Sequence, residues 1–476
     1  MISRTSPVFL ILIFLLFLSC STKTDEKKKA TGIHIQHDLN AIKKEGKLKV
    51  LTTYSSTSYF LYRGETMGYE YELLQRFAAH LGVNLEIHIA HNLDEMLDDL
   101  NRGEVDLVAH GITVTNERKK EVHFTDYLYL THQVLVQKKP DNWRKISWSK
   151  LQKSLIHDAI ELIGDTVSVR KNSSYFQRLQ NLSNEMGGKI YIDTLPGNLS
   201  TNKIIEMVVD GEIKYTAADN NLASISASYY PVLDISVPLS FSQRMAWAVR
   251  PDSPELEKAI NSWLKEFKKD VDYYVIYNKY FKNKRSFKAR GRSDYLSLNT
   301  NKISKYDDLI KTYAQKMGWD WRLLAALIYQ ESKFDPKQKS WAGAHGLMQM
   351  MPNTAKQMGV KNRHNPEESI KGGTYYLTSI YNKFESVKDS VQRIKFTLAA
   401  YNCGPNHIYD AQNLAKEEGL DSTVWDDNVE EIILKLSYRE NYTKPVVKYG
   451  YVHGREPYNY VRQIFKRYEN YKQFIE

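Results

Sequence analysis

Glu331 closes a run, Trp319-Asp320-Trp321-Arg322-Leu323-Leu324-Ala325-Ala326-Leu327-Ile328-Tyr329-Gln330-Glu331, whose spacing gives its carboxyl a chemical use. In a helix, Leu324, Leu327 and Ile328 share a face with it. A carboxylate on an apolar face is costly to keep charged, because burial strips its hydration. Its pKa should therefore rise. A carboxyl that still holds its proton near neutral pH can act as a general acid. The competing reading is that a Glu near a helix end simply tips out to solvent.

Three further motifs follow in chain order: Gly346-Leu347-Met348-Gln349-Met350-Met351-Pro352, then Leu398-Ala399-Ala400-Tyr401-Asn402-Cys403-Gly404-Pro405, then Glu456-Pro457-Tyr458-Asn459-Tyr460-Val461. With Glu331-Ser332-Lys333-Phe334 they form an ordered set that resembles the soluble lytic transglycosylase domain over residues 303–470. The resemblance implies a goose-lysozyme-like helical fold that cuts the β-1,4 bond between N-acetylmuramic acid and N-acetylglucosamine in peptidoglycan. It implies that Glu331 is the catalytic acid and that the hydroxyl of Ser340 approaches it. It also implies that Gln349 and Met351 line the sugar cleft, and that Tyr401 lies near the scissile bond. Asn402 binds sugar or braces its helix on the same comparison, and Tyr460 contacts the muramyl sugar or is a buried aromatic. Met348 and Met350 are expected in the core, since alternating residues cannot all face the groove. Gly346 and Gly404 read as backbone requirements.

Ordinary glycosidases flank the bond with two carboxylates. Only Glu331 has the right surroundings here. Asp335 precedes Pro336 and should end the helix, while Glu367 and Glu368 follow Asn365-Pro366 and read as an exposed helix start. One carboxyl suffices if the substrate supplies the nucleophile: the C6 hydroxyl closes a 1,6-anhydro ring. A muramidase of the same fold, using water, is the nearest rival. A cell-wall-holding receptor without catalysis is the rival from another class. No metal or cofactor is expected, because no clustered His or Cys pattern suggests one.

These residues need a scaffold, and the chain upstream is built differently. Leu48–Thr52 is strand-like, Tyr69–Leu81 has helical spacing, Leu85–Ile89 alternates, Leu93–Leu100 is helical and Val105–Val108 is another apolar run. Such alternation predicts an α/β domain with a largely parallel sheet. The segments Gly68-Tyr69-Glu70-Tyr71-Glu72-Leu73-Leu74, Leu100–Val108, Thr113–Arg118 and Val122–Tyr129 resemble family 3 solute-binding proteins over about residues 46–282. The resemblance implies a two-lobed, hinged receptor, with lobe 1 at about 46–136 and 236–282 and lobe 2 at about 137–235. Arg118 would grip an α-carboxylate with its planar fork, helped by Thr113. Ser174 would add a helix N-terminus and a hydroxyl, and Asp219 would hold an ammonium. Gly111 stands where Ser is frequent, which removes one contact. An amino-acid-like molecule or a muropeptide meets these charges; the alternative is a relic whose Arg118 is merely salt-bridged on the surface.

Val8–Leu18 is an apolar run too short to span a bilayer, preceded by Arg4, and reads as a secretory signal over residues 1–19. Phe17-Leu18-Ser19-Cys20 resembles a bacterial lipobox, with Phe17 where Leu is usual. The resemblance implies a lipidated Cys20, a polar tether over residues 20–45 and an anchor in a membrane, most simply the outer one. An ordinary signal peptide with an incidental Cys20 is the other reading. The chain's 2 cysteines are Cys20 and Cys403, so stability should come from packed cores rather than a disulfide. Residues 283–299 are basic and aperiodic, which predicts a linker before a helix-rich domain over 300–476. The net charge of +10 suits an acidic partner such as peptidoglycan. Nucleic acid is not expected of an exported chain without a recognition motif.

Overall fold

A computed structural model describes residues 37–475 apart from 91, 93, 94, 292 and 299. Cys20, the secretory signal and most of the tether lie outside the described residues. The tether's expected end does not: Leu39–Glu45 is a helix, capped by Asp38, with Ile42 buried.

The first module has two lobes. Strand Lys47–Thr52 pairs in parallel with Asn84–Ile89 and with Leu107–Thr113. Gln243–Val249 then returns antiparallel to Leu107–Thr113 and also pairs with His123–Phe124 and Tyr129–Thr131. In the second lobe, Thr166–Arg170 and Tyr191–Leu195 are parallel, whereas Gln133–Lys138 is antiparallel to Tyr215–Asp219. The expected largely parallel sheet is thus mixed. These antiparallel pairs are made by the segments that pass between lobes, because a strand entering from the other lobe has no crossover helix to reverse it. Gln133–Lys138 pairs wholly within the second lobe, so that lobe begins a few residues earlier than the sequence suggested.

Helix Tyr69–Leu81 falls where its periodicity puts it, burying Leu73, Leu74 and Phe77. The basic stretch expected to be an irregular linker is instead a helix, Lys284–Gly291. Its Phe287 is buried, and the Arg290 guanidinium lies over the rings of Phe60, Tyr280 and Phe287. Cation–π contact lets a charged residue sit where a linker would leave it solvated.

The second module is helical. Helix Trp321–Ser332 is buried on nearly every side through Leu323–Tyr329, which makes it the central rod of its domain. Asp320 caps it by accepting from the Arg322 backbone N–H (2.9 Å). Around it pack Asp307–Met317, Pro366–Lys383, Ser390–Cys403 and the final helix Arg455–Phe474. Asn365 caps Pro366–Lys383, so Glu367 and Glu368 occupy its first turn as expected, and Glu368 accepts from the N–H groups of Lys361 and Asn362. The central helix ends through Lys333 and Phe334, both at positive φ (50° and 62°), a conformation that costs non-glycine residues energy. Glu331 sits one residue before that helix's end. No helix among the described residues is long and apolar enough to cross a membrane.

Candidate active site and ligand cavity

At the end of the central helix, the Glu331 carboxyl is desolvated although the residue as a whole is half-buried. Burial pushes its pKa from 4.5 up to about 7, and a hydrogen bond from the Tyr460 hydroxyl to Oε1 pulls slightly back. Tyr460 comes from the final helix and is itself buried. It is therefore a hydrogen-bond partner of the Glu331 carboxyl. Tyr401 lies close enough for Glu331 to raise its phenol pKa, second to burial, and its hydroxyl donates to the Met348 carbonyl (2.7 Å).

Segment 338–351 is hydrogen-bonded to the residues around this carboxyl through its Leu347 and Met348 carbonyls. Ser332 ties the helix end to it, its Oγ donating to Leu347 O (2.9 Å). Gly346 has φ +84°, and a Cβ there would lie 1.9 Å from Arg363 O, so the backbone requirement is real. Met348 and Met350 are buried as expected, while Met351 is 44% exposed. Gln349 (φ +45°) donates from Nε2 to the carbonyls of Gln338 and Gly346, so its amide nitrogen holds the loop. The Ser340 hydroxyl does not bond Glu331: its oxygen accepts from the Ala344 N–H (3.0 Å) and closes a turn. Asn402 lines a shallow cleft with Tyr460, Gln330, Glu456 and Asn459. Cys403 is a packing residue, its Sγ 3.3 Å from Ala399 O and its thiol pushed up to about 12 by burial.

Between the lobes of the first module lies a second site, a cavity of about 410 Å³. Thr113, Arg118, Ser174 and Asp219 all line it. Ser174 opens helix Ser174–Glu185, and its Oγ is 3.2 Å from Thr113 Oγ1, linking the lobes. Arg118 is half-buried and donates to Thr113 O (3.0 Å), and desolvation of its guanidinium lowers its pKa; it is not paired on the surface. Asp219 accepts from the Tyr175 hydroxyl through Oδ2 (3.0 Å), while its buried Oδ1 has no hydrogen-bond partner among the described residues. Burial lifts its pKa to about 6. Gly111 (φ +51°) leaves room that the Tyr129 hydroxyl occupies, 2.8 Å from a would-be Cβ.

Three residues of this cavity were not singled out from sequence. Glu70 is buried, accepts from the Trp247 indole N–H (2.6 Å), and has its pKa raised to about 7 by burial. Arg170 lines the opposite lobe, and His110 is held neutral, its pKa pushed down to about 3 by burial and then by Arg170 and Arg118. Glu70 stands inside the Gly68–Leu74 motif, but neighbouring residues could not say which side chains face inward.

Residues 47–283 match the family model of bacterial extracellular solute-binding proteins, family 3, and residues 308–423 match the transglycosylase SLT domain. Among solved structures, an ancestral arginine-binding protein bound to arginine is similar at 27% identity (TM-score 0.42), covering 50% of this chain and 98% of that one. Over the full length, the chain is 34% identical to membrane-bound lytic murein transglycosylase F of Desulfosudis oleivorans, covering 91% of each. It is 33% identical to the protein of the same name from Pseudomonas fluorescens, over 90% of this chain and 86% of that one. A charged cavity between two α/β lobes and a desolvated acid at the end of a central helix thus occur in a chain matching these relatives over about nine-tenths of its length, and the chain belongs to the membrane-bound lytic murein transglycosylase F family.

Proposed function

We propose that this protein is a peptidoglycan lytic transglycosylase of the cell envelope whose first module binds a small zwitterionic ligand. The observation that carries the catalytic half is a single desolvated carboxyl, Glu331, with its pKa near neutrality. Protonated, it gives its proton to the glycosidic oxygen as the C1–O bond breaks, with the muramyl N-acetyl group assisting at C1. The carboxylate left behind then takes the proton of the C6 hydroxyl, whose oxygen bonds to C1 and closes the 1,6-anhydro ring. One group serves as acid and then as base. Tyr460 orients it throughout.

Mass analysis of digested sacculi tests this. Products should carry 1,6-anhydromuramic ends and lack the water that hydrolysis adds; mainly reducing muramic ends would favour the muramidase. Glu331→Gln should lower turnover by roughly 10²–10⁴-fold.

The ligand of the first module is an amino acid or the peptide stem of a muropeptide, with Arg118 on a carboxylate and Asp219 on an ammonium. The unpartnered Asp219 Oδ1 supports that assignment. Lipidation of Cys20 would hold the mature chain at the outer membrane, where two or more acyl chains give stable attachment. Acyl mass on residue 20 tests it, and a mature chain starting elsewhere and free in the periplasm would refute it.

A further inference from the structure

The segment whose Leu347 and Met348 carbonyls are bonded by Ser332 and Tyr401, beside Glu331, carries a side chain that no packing requirement explains. Trp341 is 101% exposed. An exposed aromatic on a loose loop would mean little, but this loop is fixed. The Gly343 N–H donates to Ser340 O (3.1 Å), Ser340 N–H to Ala344 O (2.9 Å) and Ala344 N–H to Ser340 Oγ (3.0 Å), which makes a closed turn with Trp341 at its tip. Gly343 (φ +87°) reverses the chain, with open space where a Cβ would stand. From below, Arg363 donates to both Gly343 O (2.8 Å) and Met350 O (3.0 Å). The turn's base continues into the segment bonded by Ser332 and Tyr401: Lys339 bridges to His345, and His345 to Met350. Lys337 and Lys339 are exposed on the same segment, and neither is ion-paired with a described residue.

Resting on the reading that the substrate is peptidoglycan, we propose that Trp341 is a stacking platform for a sugar of the glycan strand beyond the bond that is cut, with Lys337 and Lys339 meeting the strand's carboxylates. An indole offers a rigid apolar face to the C–H face of a pyranose at little entropic cost. A held turn adds preorganisation, since the platform is in place before the strand arrives. An exposed indole beside lysines also suits an anionic lipid surface. Continuity with the segment bonded beside Glu331 favours the glycan.

The test measures binding without turnover, using full-length protein carrying Glu331→Gln. Calorimetry compares soluble, uncrosslinked glycan strands of several repeats with a single disaccharide, before and after adding Trp341→Ala. Affinity for the long strand should fall about 3- to 10-fold, the loss of one aromatic contact, with the disaccharide unaffected. Trp341→Tyr should recover most of it, and rising salt should weaken the long strand further. Equal long-strand affinity with and without Trp341→Ala overturns the proposal, as does an equal loss for both lengths. Unchanged glycan binding with reduced binding to vesicles containing anionic lipid overturns it in favour of the lipid surface. A Glu331→Gln parent that binds no glycan strand would instead sink the peptidoglycan reading and this proposal with it.

Discussion

At the scale of single residues, the chemistry depends on how Glu331 is held between its two protonation states. Burial raises its pKa to about 7 and the Tyr460 hydroxyl lowers it from what burial alone would give. The acid step needs the proton, so cleavage should decline as pH rises through about 7. Tyr460→Phe removes a donor that favours the charged form. The alkaline limb of its pH–rate profile should move to higher pH, a shift that a merely structural role for Tyr460 would not produce. Stability carries the same signature with a definite sign. Between 4.5 and about 7 the folded protein keeps a proton that the unfolded chain has lost, so this group makes stability fall across that window. Glu331→Gln should therefore gain on wild type by up to about 3 kcal/mol as pH is raised from 5 to 8. Denaturant midpoints at the two pH values check it, and a gap that does not widen with pH would count against the raised pKa.

Secondary-structure elements decide whether those residues meet. Gly346 is the most exacting position of segment 338–351, with left-handed backbone and no room for a Cβ beside Arg363 O. Gly346→Ala should cost at least about 2–3 kcal/mol, since strain and overpacking add, and chemical denaturation should read that loss together with falling activity. Elements with a strong period were legible in the sequence: Tyr69–Leu81 and the helix bearing Glu331 both announce themselves by apolar spacing. Helix Lys284–Gly291 was not legible, because its charged residues hide the one buried aromatic, Phe287, and the aromatic ledge that holds Arg290 comes from distant sequence. The same limit applies to Tyr460. Its motif placed it at the site, but only the fold brings its hydroxyl to Glu331 from the far end of the chain. Ser340 illustrates the converse, since local hydrogen bonds within its own turn take the oxygen that was expected at the carboxyl.

The whole molecule joins the two sites through the final helix. Tyr460 meets Glu331 near its start, and its last turns dock on the first lobe. There Asn470 accepts from the Tyr59 hydroxyl (3.0 Å) and donates to Thr66 Oγ1 (3.1 Å), Tyr471 donates to Gly64 O (2.7 Å), and Phe474 packs on Tyr54 and Tyr59. Thr57 and Ser58, immediately before Tyr59, line the ligand cavity, and Ser58 Oγ lies 3.3 Å from the buried His110. A ligand that changes the separation of the lobes therefore acts on the segment that seats this helix. Coupling needs more than tight binding, because only a ligand that prefers one arrangement shifts the balance. Allosteric free energies of about 1–3 kcal/mol predict a change in sacculus digestion of roughly 5–150-fold on ligand addition. Arg118→Ala should remove both binding and response. Asn470→Ala should keep binding by calorimetry and lose part of the response, because it removes two of the hydrogen bonds that dock the helix on the lobe without touching the cavity. If Asn470→Ala responds as wild type does, the helix is not the route. If ligand binds and the wild-type digestion rate does not change, the first module is a tether or scavenger, and the union of the two modules serves placement rather than control.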